Sequence, residues 1–247
     1  MRRAEPRSSR RRPSAWAWLV TASACLLGAL AIALAVGWAT SSERRIATYA
    51  VRGALNGITL DLGDGSAVVV GAGERPAVEV RRTDRFAFGH GAQARRDVAG
   101  GVLRIHSRCP PAVLDSCSAS YRLSVPDNVP VTVRTTSGDV RFRGFHGSAR
   151  IDTATGDIAV AGYCGFALRA RAETGDVRAI TACPLERLEL RSRTGDVRAV
   201  VPPGRYRVDA ETDDGRRQVR GVTAADDAPF QIQALSSVGD VDVETGA

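Results

Sequence analysis

Hydrophobic and polar residues alternate with period two through most of the chain after residue 55, the pattern of half-buried strands. Ile58-Thr59-Leu60-Asp61-Leu62 alternates, Gly63-Asp64-Gly65-Ser66 turns, and Ala67-Val68-Val69-Val70-Gly71 is apolar again. Ala77 to Arg81 and Val102 to His106 repeat the alternation. A polar stretch holding His90 lies between them and reads as an exposed excursion. From Val131 the alternation falls inside a repeating unit: Ser137-Gly138-Asp139-Val140, Thr155-Gly156-Asp157-Ile158, Thr174-Gly175-Asp176-Val177, Thr194-Gly195-Asp196-Val197, and at the end Val238-Gly239-Asp240-Val241. From Gly138 through Gly156 and Gly175 to Gly195 the interval is nearly constant, lengthening by one at each step. Asp213 then takes the glycine position of a degenerate copy, and a longer step leads to Gly239.

A nearly fixed period of roughly 19 residues marks stacked repeats. Aligned on the glycine, the positions five, three and one before it and two after it are small or β-branched and read as inward. Examples are Val133, Ile151, Ala170, Leu190 and Val208 at five before, and Val140, Ile158, Val177 and Val197 at two after. The intervening positions are polar. The expected fold is all-β: a single-stranded parallel β-solenoid of roughly 18–20-residue coils, each covering the next at about 4.8 Å. Gly138, Gly156, Gly175, Gly195 and Gly239 are then coil corners at positive φ, and Asp139, Asp157, Asp176, Asp196 and Asp240 accept backbone amides beside them. Three residues past the corner stand Arg141, Arg178, Arg198 and Arg216, a candidate outward ladder for an acidic envelope polymer or lipid headgroup.

Before the strands, Trp16 to Ala39 is an unbroken run without a charge. As a helix it reaches roughly 36 Å, enough to span a bilayer, and Trp16, Trp18 and Trp38 lie near its ends as interfacial anchors. Six arginines precede it, Arg2, Arg3, Arg7, Arg10, Arg11 and Arg12. By the positive-inside rule they place the amino terminus in the cytoplasm. The organisation expected is a cytoplasmic tail over 1–14, a transmembrane helix over 15–40, a linker over 41–54 and an extracellular solenoid over 55–247. A cleaved signal peptide, with Ala33-Leu34-Ala35 as its processing site, is the alternative for the same stretch.

The formal charge of +7 does not signal a nucleic-acid binder: six arginines against Glu5 give the tail over 1–14 a charge of +5, leaving +2 for the rest. All 34 basic residues are arginine, which points to a GC-rich genome. Cys109 and Cys117 close a proline-containing loop outside the membrane and predict a disulfide. Cys164 and Cys183 each stand at the same offset after a corner glycine, so coil stacking brings them within disulfide reach. Cys25 is left over.

No spacing carries chemistry. His90, His106 and His146 fit no nucleophile or metal pattern, and the chain has no phosphate loop or dinucleotide fingerprint. The corners lack the doubled glycine of calcium-binding β-rolls. Asp152 with Asp209, or Asp213 with Asp214, are the acid pairs a polysaccharide-acting enzyme would draw on. No cofactor and no metal is expected.

The reiterated Thr-Gly-Asp-Val phrase, the Cys109 to Cys117 loop followed by Tyr121-Arg122-Leu123-Ser124-Val125-Pro126, and the amino-terminal apolar helix together resemble the bacterial putative-adhesin family. This is a β-solenoid domain of unknown function common in actinobacteria, and the likeness covers about residues 55–247. The resemblance implies an envelope-associated solenoid, sometimes linked to envelope-stress regulation, with no catalytic residues to transfer. The function expected is a non-enzymatic, membrane-anchored adhesion or envelope-interaction module. An envelope-stress sensor acting through a membrane partner and a polysaccharide-acting enzyme are the alternatives.

Overall fold

The computed structural model describes residues 15–40, 43–86, 91–110 and 117–246. The chain divides into two units, Met1–Ser42 and Glu43–Ala247. In the first, α1 (Ala15–Thr40) is a single helix. Among the described residues no helix is long and apolar enough to cross a membrane. The arginine tail over 1–14 and His90 lie outside the described residues.

The second unit is all-β. In order, the strands are β1 (Glu43–Arg52), β2 (Gly57–Asp64), β3 (Ala67–Gly71), β4 (Ala77–Phe86), β5 (Gln93–Ala99), β6 (Val102–Arg108) and β7 (Ser118–Val125). The repeats supply β8 (Val131–Ser137), β9 (Val140–Arg143), β10 (Ala149–Thr155), β11 (Ile158–Tyr163), β12 (Ala167–Thr174), β13 (Val177–Thr181), β14 (Arg187–Thr194) and β15 (Val197–Val201). The chain ends in β16 (Arg205–Asp214), β17 (Arg217–Arg220), β18 (Thr223–Ala224), β19 (Phe230–Val238) and β20 (Val241–Thr245).

Among the described residues each coil contributes one strand to each of two ten-stranded sheets. Sheet A runs β1-β4-β7-β3-β9-β11-β13-β15-β20-β17, and sheet B runs β18-β16-β19-β14-β12-β10-β8-β2-β6-β5. Within the repeats all pairing is parallel and, apart from a shift between β11 and β13 after Ala161, residue for residue, as between β10 and β12, where Ile151 meets Ala170 and Thr153 meets Ala172. Val133, Ile151, Ala170 and Leu190 are 0% exposed, so the inward phase reads as expected and forms the core between the sheets. That core is apolar area removed from water along the whole stack.

Three local expectations need correction. The stretch over 41–54 is no simple linker, because β1 pairs antiparallel with β4 along its whole length and begins the β unit. The excursion before β6 holds β5, an exposed strand hairpinned to β6. The residues one before each corner glycine, Ser137, Thr155, Thr174 and Thr194, are exposed rather than inward. There the chain leaves the sheet to turn, so period-two alternation stops one residue early.

The largest correction concerns coil order. The coils do not stack strictly in sequence: β2/β3 sits between β6/β7 and β8/β9, and β19/β20 sits between β14/β15 and β16/β17. Composition explains the second inversion. The inward positions of β20 are Val241 and Val243, both 0% exposed, whereas β17 would carry Arg217 inward. A charge enclosed between two coils is costly, and the outermost coil leaves it in solvent. The corner of that outer coil is Gly215, not Asp213: a Cβ on Gly215 would lie 2.2 Å from the Gly239 carbonyl oxygen, and Asp214 pairs with Val238.

Candidate binding faces

The Gly-Asp corner is clamped from three directions. Each corner glycine has positive φ, as Gly156 at 135° and Gly175 at 138°, and rests against the glycine carbonyl of the coil before it. On the outside, each aspartate accepts the backbone N–H of the next: Asp157 N–H to Asp139 Oδ1 at 3.2 Å, Asp176 to Asp157 at 2.9 Å, Asp196 to Asp176 at 2.8 Å and Asp240 to Asp196 at 2.8 Å. On the inside, Ser192 and Ser236 donate to the Gly175 and Gly195 carbonyls at 2.8 Å. The ladder thus fastens coil to coil. One oxygen of each of these carboxylates is committed to an amide.

Both cysteine pairs are bonded. Cys164–Cys183 joins neighbouring coils with Cα atoms 5.1 Å apart, and Cys109–Cys117 closes its loop at 5.8 Å. Beside Cys164 the buried Tyr163 hydroxyl lies 2.6 Å from both the Gly147 and the Ala167 carbonyl oxygens, which share its one proton. Burial raises the Tyr163 pKa well above that of a free phenol.

The outer face of sheet B neutralises itself. Glu189, whose side chain is 4% exposed, is gripped by Arg169 and Arg171 at 2.6 Å, with Arg191 Nε 3.0 Å away. Burial alone would raise the Glu189 pKa. The hydrogen bonds from Arg171 and Arg169, with the charges of Arg169 and Arg191, overcome that and hold it below the usual carboxylate range. Beside it opens a groove of ≈ 390 Å³ in which Arg171, Arg191 and Arg193 face Glu173, Glu211 and Asp213. Asp152 lies four strands from Asp209, about 19 Å, too far for two carboxylates to share one glycosidic bond. Asp213 and Asp214 are consecutive in β16 and alternate between faces. His106 and His146 each meet one aspartate, Asp61 and Asp127, at 3.1 Å.

Sheet A places the predicted arginine ladder differently from its sequence spacing. Arg141 is next to Ala159, Ala159 next to Arg178, and Arg178 next to Arg198. Arg216 is not in this row: it takes the aspartate position of the outer coil, donating its backbone N–H and guanidinium to Asp240. Those contacts hold Asp240 below its ordinary pKa. Arg198 is also committed, to Glu244 and toward Asp242. In the other direction the row continues through Val68 to Arg122 and Arg81, which lie outside the repeats and whose membership depends on strand order.

Residues 122–245, just over half of the chain, match the profile of the family described as Toastrack DUF4097. The chain belongs to the Toastrack DUF4097 family. Solved structures similar to this Toastrack chain include a putative cell adhesion protein from Clostridium sporogenes, at 10% identity over 83% of this chain and 100% of that one, TM-score 0.44. A putative adhesin from Bacteroides fragilis is 10% identical over 82% of this chain and 97% of its own, TM-score 0.42. A putative lipid binding protein from Parabacteroides distasonis is 9% identical over the same shares, TM-score 0.35. No curated protein matches the chain.

Proposed function

We propose that this Toastrack chain is a non-enzymatic, membrane-tethered module that presents a stiff β-face outside the cell for a polymer or protein of the envelope. The observation that carries the reading is the outer face of sheet A. In-register pairing of β9, β11, β13, β15 and β20 up to Ala161 on β11 fixes its side chains in straight rows, and the corner ladder fastens each coil to the next. Such a surface is preorganised, so little ordering entropy is lost when a long partner docks. The tether is the uncharged run from Trp16 to Ala39, with the amino terminus inside. Two disulfides suit an oxidising exterior.

Topology is tested by labelling tags at the two ends of the full chain in intact cells with an impermeant reagent. The carboxy-terminal tag is expected to label and the amino-terminal tag to stay protected; the reverse labelling refutes the orientation. Binding is tested by recovering the tagged full chain from intact cells after cross-linking, where an envelope polymer or envelope protein is expected to come with it. Release of product from a wall polysaccharide, abolished by Asp152→Ala or Asp214→Ala, would overturn the non-enzymatic reading.

A further inference from the structure

The two outer faces differ in how their arginines are used. On sheet B, acids are interleaved with arginines in the rows, and Glu189 alone takes three. On sheet A the acids gather at one end, Asp242 and Glu244 on β20, where they take Arg198 and Arg220. The rest of that face, from β4 to β13, carries Arg81, Arg85, Arg122, Arg141, Arg143 and Arg178, all exposed. Against these six stand Glu79, which makes no ion pair among the described residues, and the corner carboxylates Asp139, Asp157 and Asp176, of which Asp139 lies 2.8 Å from Arg141. Arg81, Arg122, Arg143 and Arg178 have no ion pair or hydrogen-bond partner among the described residues.

The placement of these charges works against the fold. Arg81 stands directly opposite Arg122 in the antiparallel pair of β4 and β7, and like charges so placed cost stability. Nothing in the packing of the sheet requires arginine at either position, because both side chains are exposed. Arg122, Arg141 and Arg178 then follow in single file, separated by Val68 and Ala159, so each lies two strands from the next, about 10 Å along the stack. Two residues along each strand runs a second row, Val70, Arg143, Ala161, Ile180 and Val200, apolar except for Arg143. Ile180 in that row is 43% exposed.

We propose that this half of sheet A binds a linear acidic polysaccharide carrying one carboxylate per disaccharide repeat. The inference rests on the reading of the chain as an envelope-binding module and names the class of polymer. Arg122, Arg141 and Arg178 take successive carboxylates through their guanidinium forks, which match carboxylate geometry. Val70, Ala161 and Ile180 receive the C–H faces of the sugar rings. Arg122, Arg141 and Arg178 form a single file, which fits a chain laid along the stack rather than a planar array of lipid headgroups. A polyphosphate carries its charges closer together and has no apolar face for the second row.

The test uses the full chain in neutral detergent, with hyaluronate oligosaccharides as the probe because their carboxylates alternate with neutral sugars. Titration calorimetry is expected to show binding that weakens with added salt. Arg122→Ala and Arg178→Ala are each expected to weaken it roughly three- to tenfold, and Arg198→Ala to leave it unchanged. Unaltered melting temperatures show that the variants fold. Absence of binding, equal binding of the carboxyl-reduced oligosaccharide, or indifference to Arg122→Ala and Arg178→Ala overturns the proposal. Tighter binding to polyphosphate or to phosphatidylglycerol vesicles overturns it too and reassigns the track. If the chain still recovers an envelope component from cells in those cases, the module reading stands alone; if it recovers none, both fail.

Discussion

Substituting Gly175 by alanine isolates what the corner contributes. An added Cβ would sit 2.2 Å from the Gly156 carbonyl oxygen and 2.6 Å from its carbon, both backbone atoms of the neighbouring coil. At φ +138° an L-residue is strained by about 1–3 kcal/mol before any contact is counted. Relieving the clash moves one coil away from the next. That motion threatens the bonds across the same interface: Gly156 N–H to the Thr174 carbonyl at 2.9 Å, Ile158 N–H to the Asp176 carbonyl at 2.8 Å and Asp176 N–H to Asp157 Oδ1 at 2.9 Å. With one or two of these lost at about 1 kcal/mol each, the total is about 2–5 kcal/mol. In a β unit of this size the melting temperature should fall by roughly 10 °C. Gly144 is the control: its φ is +53° with no atom within 4 Å of an added Cβ, so Gly144→Ala should cost about 1–2 kcal/mol, roughly 4 °C. Thermal melts of the full-length variants by circular dichroism decide it. Equal shifts for the two substitutions would refute the claim that coil contact, rather than backbone conformation, makes glycine necessary.

Cys183→Ser should lower stability by about 3 kcal/mol, and Cys164→Ser should reproduce the loss, since the Cys164–Cys183 bridge closes a loop with a sequence separation of 19. Glu189 is held below the ordinary glutamate range, so the stability it supplies is fully present above about pH 4.3 and disappears as pH falls through its lowered folded value. Glu189→Gln should therefore melt lower than wild type at pH 7, by about 2 kcal/mol, with the gap closing in melts taken in acid. Tyr163→Phe removes the proton shared by the Gly147 and Ala167 carbonyls and should cost about 1–3 kcal/mol at neutral pH. Because the Tyr163 pKa is raised, the wild type loses the phenol's share of stability as pH climbs past about 10, and the variant should lack that alkaline loss. Gly215→Ala should destabilise the outer coil while Asp213→Gly leaves melting nearly unchanged, and the opposite ranking would restore Asp213 as the corner.

The regular coils were legible because their inward residues and their corners repeat together: Ile151, Ala170 and Leu190 share a phase with Gly156, Gly175 and Gly195. The Cys164–Cys183 bridge followed from that phase. The outer coil was misregistered by two positions, and a strand's period of two explains why nothing betrayed it: Val208 and Ala210 face inward with either Asp213 or Gly215 at the corner. Coil order left no local trace either, since β14 could as readily be covered by β16 as by β19 on alternation alone. Only the contrast between Val241 and Arg217 at equivalent inward positions hinted at which coil ends the stack. The basic track was half readable. Arg141 and Arg178 sit in the repeat, but Arg81 and Arg122 join them through pairings with β4 and β7 that no periodicity announces.

The displaced coil at each end also governs how the molecule can be assembled. Neighbours in the middle of the stack are consecutive in sequence, so each coil can settle on its predecessor as soon as it is made. The slot beside β14 is different: Arg187 pairs with Gln231, and the slot stays open while β16 and β17 pass by. At the other end β2 waits for β8, with Ile58 meeting Val131 only after β3 to β7 have been made. Closing such long loops is slow. Folding should therefore propagate quickly along the central coils and finish with two late wedging steps that lock the ends, during which the edges of β14 and β15 are open to pair with another chain.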